Sequence, residues 1–133
     1  KIQSLNLNHN CKIFGNLDRN DLKILYYLST IVLSFPLQAE GFGRVISEAL
    51  VMKKKILAFN YGGVKDQLEN LNDVYKVDPN KYSDIPLKLH NIIKLDDEKF
   101  SNISTHSRDN IIKLFSKSQM VKNYFNLYEQ QSI

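Results

Sequence analysis

The sequence predicts an α/β fold: a parallel sheet covered by helices on both faces. Three observations carry this expectation. Short apolar runs of strand length alternate with stretches whose apolar residues recur at helical spacing. The runs are followed by breakers, at Gly15, Pro36, Gly62-Gly63 and Pro79. The chain has 133 residues, 43% hydrophobic and 24% charged, enough to bury one core.

The elements follow in order. Cys11–Phe14 is a short apolar run ended by Gly15 and reads as a buried strand. Asp18–Leu28 carries Leu22, Leu25 and Leu28 at helical spacing, with Asp18 placed to cap it. Ile31–Phe35 is rich in branched and aromatic residues and stops at Pro36, so it reads as a strand. A loop, Pro36–Glu40, leads to a helix from about Phe42 to Met52, with Val45, Ile46, Ala49 and Leu50 as its apolar stripe. Lys55–Phe59 is the next strand, and Gly62-Gly63 turns into a short helix, Val64–Leu68. Asp73–Val77 is another strand, closed by Asp78-Pro79. Three helical stretches end the chain, near Ile85–Leu95, Glu98–Phe115 and Ser118–Glu129, with Ser118 as a candidate cap for the last. In such a sheet the crossovers are right-handed, and ligands bind beyond the carboxyl ends of the strands. Gly15, the 36–43 loop and the 60–63 loop should therefore line one edge together.

Bulk composition narrows the classes. No apolar run approaches the length of a membrane-spanning helix, and no basic-then-apolar start resembles a signal peptide. One cysteine, Cys11, excludes an internal disulfide and any multi-cysteine zinc site, and it reads as a small buried hydrophobe. His9, His90 and His106 lack metal spacing and read as surface or capping residues. The net charge of +4 permits an anionic partner without choosing one. The chain opens at Lys1 inside what reads as the end of a helix or a loop, which is the pattern of a piece of a longer protein.

The chemistry concentrates in residues 40–48, Glu-Gly-Phe-Gly-Arg-Val-Ile-Ser-Glu. Two glycines, Gly41 and Gly43, bracket a strand-to-helix turn, where a backbone without Cβ can approach a ligand closely. The helix that opens there has N–H groups with no intrahelical partner, aimed with the positive end of the dipole at whatever lies above the strands. That arrangement accepts an anion or a hydroxyl. Glu40 stands before the helix and Glu48 eight residues on, a span of about 12 Å at full helical rise. Two carboxylates so spaced could hold two parts of one extended ligand, since carboxylates accept hydrogen bonds from sugar hydroxyls. A solvated Glu48 on a helix surface would be the bland reading. The Gly-Phe-Gly insert, the Glu48-Ala49-Leu50 run and the later Gly62-Gly63 weigh against it.

This stretch resembles the retaining glycosyltransferases of the GT-B fold, in particular their large GT4-like group. Those proteins carry E-G-F-G-x-x-x-x-E-A in the carboxy-terminal domain, and the motif is intact from Glu40 to Ala49. Phe14-Gly15, Leu33-Ser34, Pro36, Gly62-Gly63 and Asp78-Pro79 extend the resemblance over most of residues 11–95, together with the final tyrosine-bearing helix. The resemblance implies that residues 1–133 are a partial carboxy-terminal, nucleotide-sugar-binding domain of Rossmann-like fold, without the first strands of its sheet. It implies Glu40 as the catalytic-site carboxylate beside the transferred sugar, and Glu48 on the ribose hydroxyls. Gly41, Phe42, Gly43, Arg44 and Val45 would line the sugar and diphosphate, and Phe14 and Gly15 would lie near the base. The donor would be a UDP- or GDP-linked sugar, and the acceptor a glycan or lipid-linked sugar bound by a separate amino-terminal domain. No metal or cofactor is implied. Polysaccharide synthesis in the cytoplasm, or at the inner face of a membrane, is the setting the family suggests.

Departures accompany the match. Members of that group carry a small residue or glycine where Lys54 stands, so the Lys53–Lys55 run bears on the helix end. Their diphosphate-neutralising Arg and Lys have no counterpart among the matched residues. Arg44 could reach phosphate as a fork or stand as a surface arginine. Lys53–Lys55 reads as a solvated helix end, Lys65 faces the expected ligand edge, and Asp96-Asp97-Glu98 suits a helix start. Tyr124, Phe125 and Tyr128 read as core packing, or as a docking face if left open. The alternative function is a non-catalytic fragment that binds nucleotide or a partner. An epimerase or phosphorylase fits the Glu-Gly-Phe-Gly run less well. A dinucleotide oxidoreductase would need a third glycine after Gly41-x-Gly43. Nucleic-acid binding would rest on charge alone.

Overall fold

The computed structural model describes residues 1–71 and 75–130. Its order is α1 (Arg19–Leu28), β1 (Ile31–Ser34), α2 (Arg44–Val51), β2 (Lys55–Phe59), α3 (Gly63–Leu68), β3 (Lys76–Val77), α4 (Ile85–Ile93), α5 (Asp97–Phe115) and α6 (Lys117–Gln130), with single 3₁₀ turns at Gln3–Leu5 and Tyr82–Asp84. The sheet is parallel in the order β1-β2-β3. Ile31 pairs with Lys55 and Ser34 with Ala58, and Ala58 pairs in turn with Lys76.

β2 is central and wholly buried, so its alternating side chains feed two layers. Ile56 packs with Leu50 of α2 and Ile103 of α5 on one face. On the other, Lys55 reaches Leu95 after α4, and Phe59 stacks edge-on against Tyr82 before α4, with 5.3 Å between ring centroids. The core gathers Ile46, Ala49, Leu57, Ala58, Leu68, Val77 and Ile92, all fully buried. Each large aliphatic among them contributes roughly 1.5–3 kcal/mol by leaving water. This is the doubly covered, Rossmann-like α/β architecture that the alternating pattern predicts.

Local signals explain the helix ends. Asp18 caps α1 by accepting from the N–H groups of Asn20 and Asp21 at 2.8 and 2.9 Å. Asp96 caps α5 through Glu98 N–H. α2 closes in a Schellman motif: Lys53 N–H donates to Leu50 O and Lys54 N–H to Ala49 O. The left-handed residue there is Lys53 (φ +53°), one position before Lys54, where the sequence comparison set the small residue.

Several expectations are corrected. Cys11–Phe14 forms no strand: Cys11 is exposed, Ile13 is 82% exposed, and Cys11 N–H bonds only to Leu7 O in a turn. A buried strand needs a ladder partner and an apolar cover, and β1 pairs only with β2 among the described strands. β1 is thus an edge strand, with Leu33 largely open. The strand expected over Asp73–Val77 shows only Lys76–Val77, and Asp73 and Val74 lie outside the described residues. In α1 the buried residue is Tyr26, while Leu28, two residues on and so about 200° round the helix, faces away from the core and is exposed. Ser116, not Ser118, accepts from Gln119 N–H at the start of α6. The stripe of α6 is not core. Tyr124, Phe125 and Tyr128 are more than half exposed, and α5 is the element on which α6 packs most closely among the described residues. The lysine run is not simply solvated either: Lys53 donates to Thr105, Lys54 to Tyr27 O, and buried Lys55 to Leu95 O.

Candidate functional site

The 36–43 and 60–63 loops leave the carboxyl ends of β1 and β2 side by side, as the parallel register requires. They pack backbone to backbone. Gly63 N–H donates to Glu40 O at 2.9 Å. A Cβ on Gly62 would come within 2.6 Å of that same carbonyl, and one on Gly63 would collide with Gly41 O. Gly43 takes the left-handed conformation (φ +76°) as the N-cap of α2, and a Cβ there would strike Val64. Beneath the turn, the buried Gln67 amide of α3 donates to Phe42 O and Gly43 O. The glycine pairs noticed in the sequence are therefore two halves of one junction.

This junction fixes the mouth of α2. Gly43 offers no side-chain cap, so by helix geometry the first N–H groups, at Arg44 and Val45, have no intrahelical acceptor. Glu40 is exposed above them, with one carboxylate oxygen beside Gly43. Tyr61 stands nearby and donates to Pro36 O at 2.5 Å. Its phenol is held above the usual range by desolvation first, then by Tyr82 and the Glu40 charge. Phe42 is 38% exposed and meets Phe115 of α5 edge-on at 5.5 Å.

One turn into α2, Glu48 is oriented by two donors. Tyr26 Oη reaches Oε2 at 3.0 Å, and the Arg44 guanidinium reaches Oε1 at 3.3 Å. Arg44 is thus engaged with Glu48 rather than standing alone, although its side chain is 76% exposed. Burial, then the hydrogen bond to Glu48, raises the Tyr26 phenol well above its ordinary value. A groove of about 420 Å³ opens beside Glu48 between α1 and α2, with Arg19, Lys23 and Arg44 on its walls.

The structure thus brings Glu40, Gly41, Phe42, Gly43, Arg44, Val45 and Glu48 onto one loop and helix. It does not bring Phe14 and Gly15 to them by any hydrogen bond or ring contact among the described residues. Lys12 covers the Phe14 ring at 4.9 Å, and the space around Gly15 is open. Sequence reasoning missed Tyr26, Tyr61 and Gln67. Their contacts span 22 to 25 residues, so no local pattern announces them. Among the described residues no three His, Cys, Asp or Glu gather into a group able to hold a metal ion, and no helix is long and apolar enough to cross a membrane.

The family model described as glycosyl transferases group 1 matches residues 1–120. Among solved structures, the chain is similar to a glycosyltransferase from Rickettsia africae ESF-5, with 30% sequence identity and a TM-score of 0.82. The similarity covers 97% of this chain and 34% of that one, so the chain spans about a third of its relative's length. No match is found among curated proteins. With the family model matched over most of its length, and the loop–helix junction built as described, this chain belongs to the group 1 glycosyl transferases.

Proposed function

We propose that residues 1–133 form part of a carboxy-terminal donor domain that binds a nucleotide-diphosphate sugar for transfer with retention, in the manner of the GT4-like group. The observation that carries this reading is the junction of Glu40–Gly43 with Gly62-Gly63, which sets a carboxylate and N–H groups without an intrahelical acceptor at the mouth of α2. In the reaction the bond from the anomeric carbon to the diphosphate oxygen breaks, and an acceptor oxygen bonds to that carbon as its proton leaves. Charge builds on the leaving diphosphate, where fixed N–H donors are most effective. Glu40 lies beside the sugar and Glu48 takes the ribose hydroxyls. Arg44 and Val45 present N–H groups to the diphosphate. Phe14 and Gly15 lie near the base.

The donor is UDP- or GDP-linked, and the acceptor is a glycan or lipid-linked sugar held by an amino-terminal domain. The setting is polysaccharide synthesis in the cytoplasm or at the inner membrane face. Without that acceptor domain, the chain alone is expected to show little transfer.

Calorimetric titration with UDP, GDP and ADP, beside Glu48→Ala, tests the reading. One nucleotide should bind, and the variant should bind it about tenfold or more weakly, the scale of a lost hydrogen bond to a charged group. A folded sample that binds none of the three would move the assignment to a non-catalytic, partner-binding fragment.

A further inference from the structure

Glu48 sits on the flank of α2, yet both its oxygens are engaged, and the two donors are unequal. Arg44 lies one turn away on the same helix and is mostly in solvent, so its pairing is of the exposed i,i+4 kind that contributes little and exchanges readily. Tyr26 is 7% exposed and comes from a different helix. Its ring is fixed by the packing of α1 on the core, and its phenol remains a neutral donor through the physiological pH range. A carboxylate has about four acceptor positions. Tyr26 takes one on Oε2 and Arg44 one on Oε1, which leaves one on each oxygen for a ligand in the α1–α2 groove.

We propose that Tyr26 is a positioning residue: its buried hydroxyl locks the Glu48 carboxylate so that both oxygens face the groove and select a ligand with vicinal hydroxyls, a ribonucleotide over its 2′-deoxy counterpart. The inference rests on the reading of Glu48 as the ribose-binding carboxylate. It adds a selectivity device that this chain builds from α1, outside the motif that marks the site. Without Tyr26 the carboxylate keeps its charge but turns freely, so a two-point contact to a diol loses more than a one-point contact to a deoxyribose.

The test is a double-mutant cycle read by two ligands. The nucleoside diphosphate that binds best among UDP, GDP and ADP, and its 2′-deoxy form, are titrated against the 133-residue chain and against Tyr26→Phe, Glu48→Ala and the double variant. Thermal melts confirm that each is folded. Tyr26→Phe should weaken the ribonucleotide about fivefold and the deoxynucleotide less than about twofold, and should change neither once Glu48 is alanine. Equal weakening of both ligands, or the same loss in the Glu48→Ala background, would mean that Tyr26 acts only through the general packing of α1. That would overturn the proposal. A wild-type ribose preference that disappears in Glu48→Ala but survives in Tyr26→Phe would sink the role of Tyr26 alone. Absence of any ribose preference in the wild type would overturn the reading of Glu48, and the proposal with it. Should Tyr26→Phe melt before titration, Tyr26→His, which keeps a ring and a donor, should retain part of the ribose preference. Its complete loss in folded Tyr26→His would count against positioning.

Discussion

Gly43 meets two constraints at one position. Its backbone is left-handed, and Val64 fills the space a side chain would need. Alanine there would carry both the conformational cost and a push on α3. We expect Gly43→Ala to lower stability by about 1–3 kcal/mol, the usual cost of a residue forced into a sparsely populated backbone region. Nucleotide affinity should fall more than Gly41→Ala makes it fall, because a Cβ on Gly41 meets open space. Urea unfolding and calorimetry on the two variants make the comparison. Equal stability of both would show that neither the left-handed backbone nor Val64 imposes a cost. Gln67 supports the same turn from below, and its amide bonds to Phe42 O and Gly43 O satisfy a polar side chain buried beside Val64 and Leu68.

At the level of elements, the end of α2 is suboptimal. Its Schellman closure places Lys53 in the left-handed region, where a residue with a Cβ costs roughly 1–2 kcal/mol and glycine does not. Lys53→Gly should therefore raise stability by about 1 kcal/mol, less the exposed bond from Lys53 to Thr105. A higher urea midpoint at unchanged slope would confirm it, and a lower one would show that the Thr105 contact dominates. The elements also show what a sequence can convey. Lys55–Phe59 was legible from end to end, because a branched and aromatic run between a charged stretch and a glycine turn has few other conformations. Cys11–Phe14 has a similar apolar run but no ladder partner among the described residues, and a run of residues cannot state whether a neighbouring strand exists. The stripe of α6 likewise tells which face is apolar, not what covers it. Within the site, the loop glycines and both glutamates were visible because their chemistry is local. Tyr26 was not, since its importance lies in a contact made from a separate helix.

For the whole molecule, alkali is the informative perturbation. The Tyr26 and Tyr75 phenols are both raised above their ordinary value of 10.0, burial being the first cause in each. Each folded phenol keeps its proton where the unfolded one has lost it, so the unfolded state binds fewer protons and stability falls as pH rises. The contribution is intact below about pH 10 and is lost progressively above it, up to the folded values. Urea unfolding at pH 8, 10 and 11 should show this decline, and Tyr26→Phe with Tyr75→Phe should flatten it. A decline of unchanged steepness in the double variant would assign it to other groups.

The pairing of Ile31 with Lys55 has a kinetic consequence. The two strands can zip only when the whole segment between them, turn and α2 included, has closed as a loop, so the central contact is won late. Every residue from Glu40 to Glu48 lies inside that loop. A chain still on its way to the native state has no mouth of α2 to offer, and a nucleotide added during refolding would find nothing to hold. Ligand would therefore leave the refolding rate almost untouched and lengthen the lifetime of the folded chain instead.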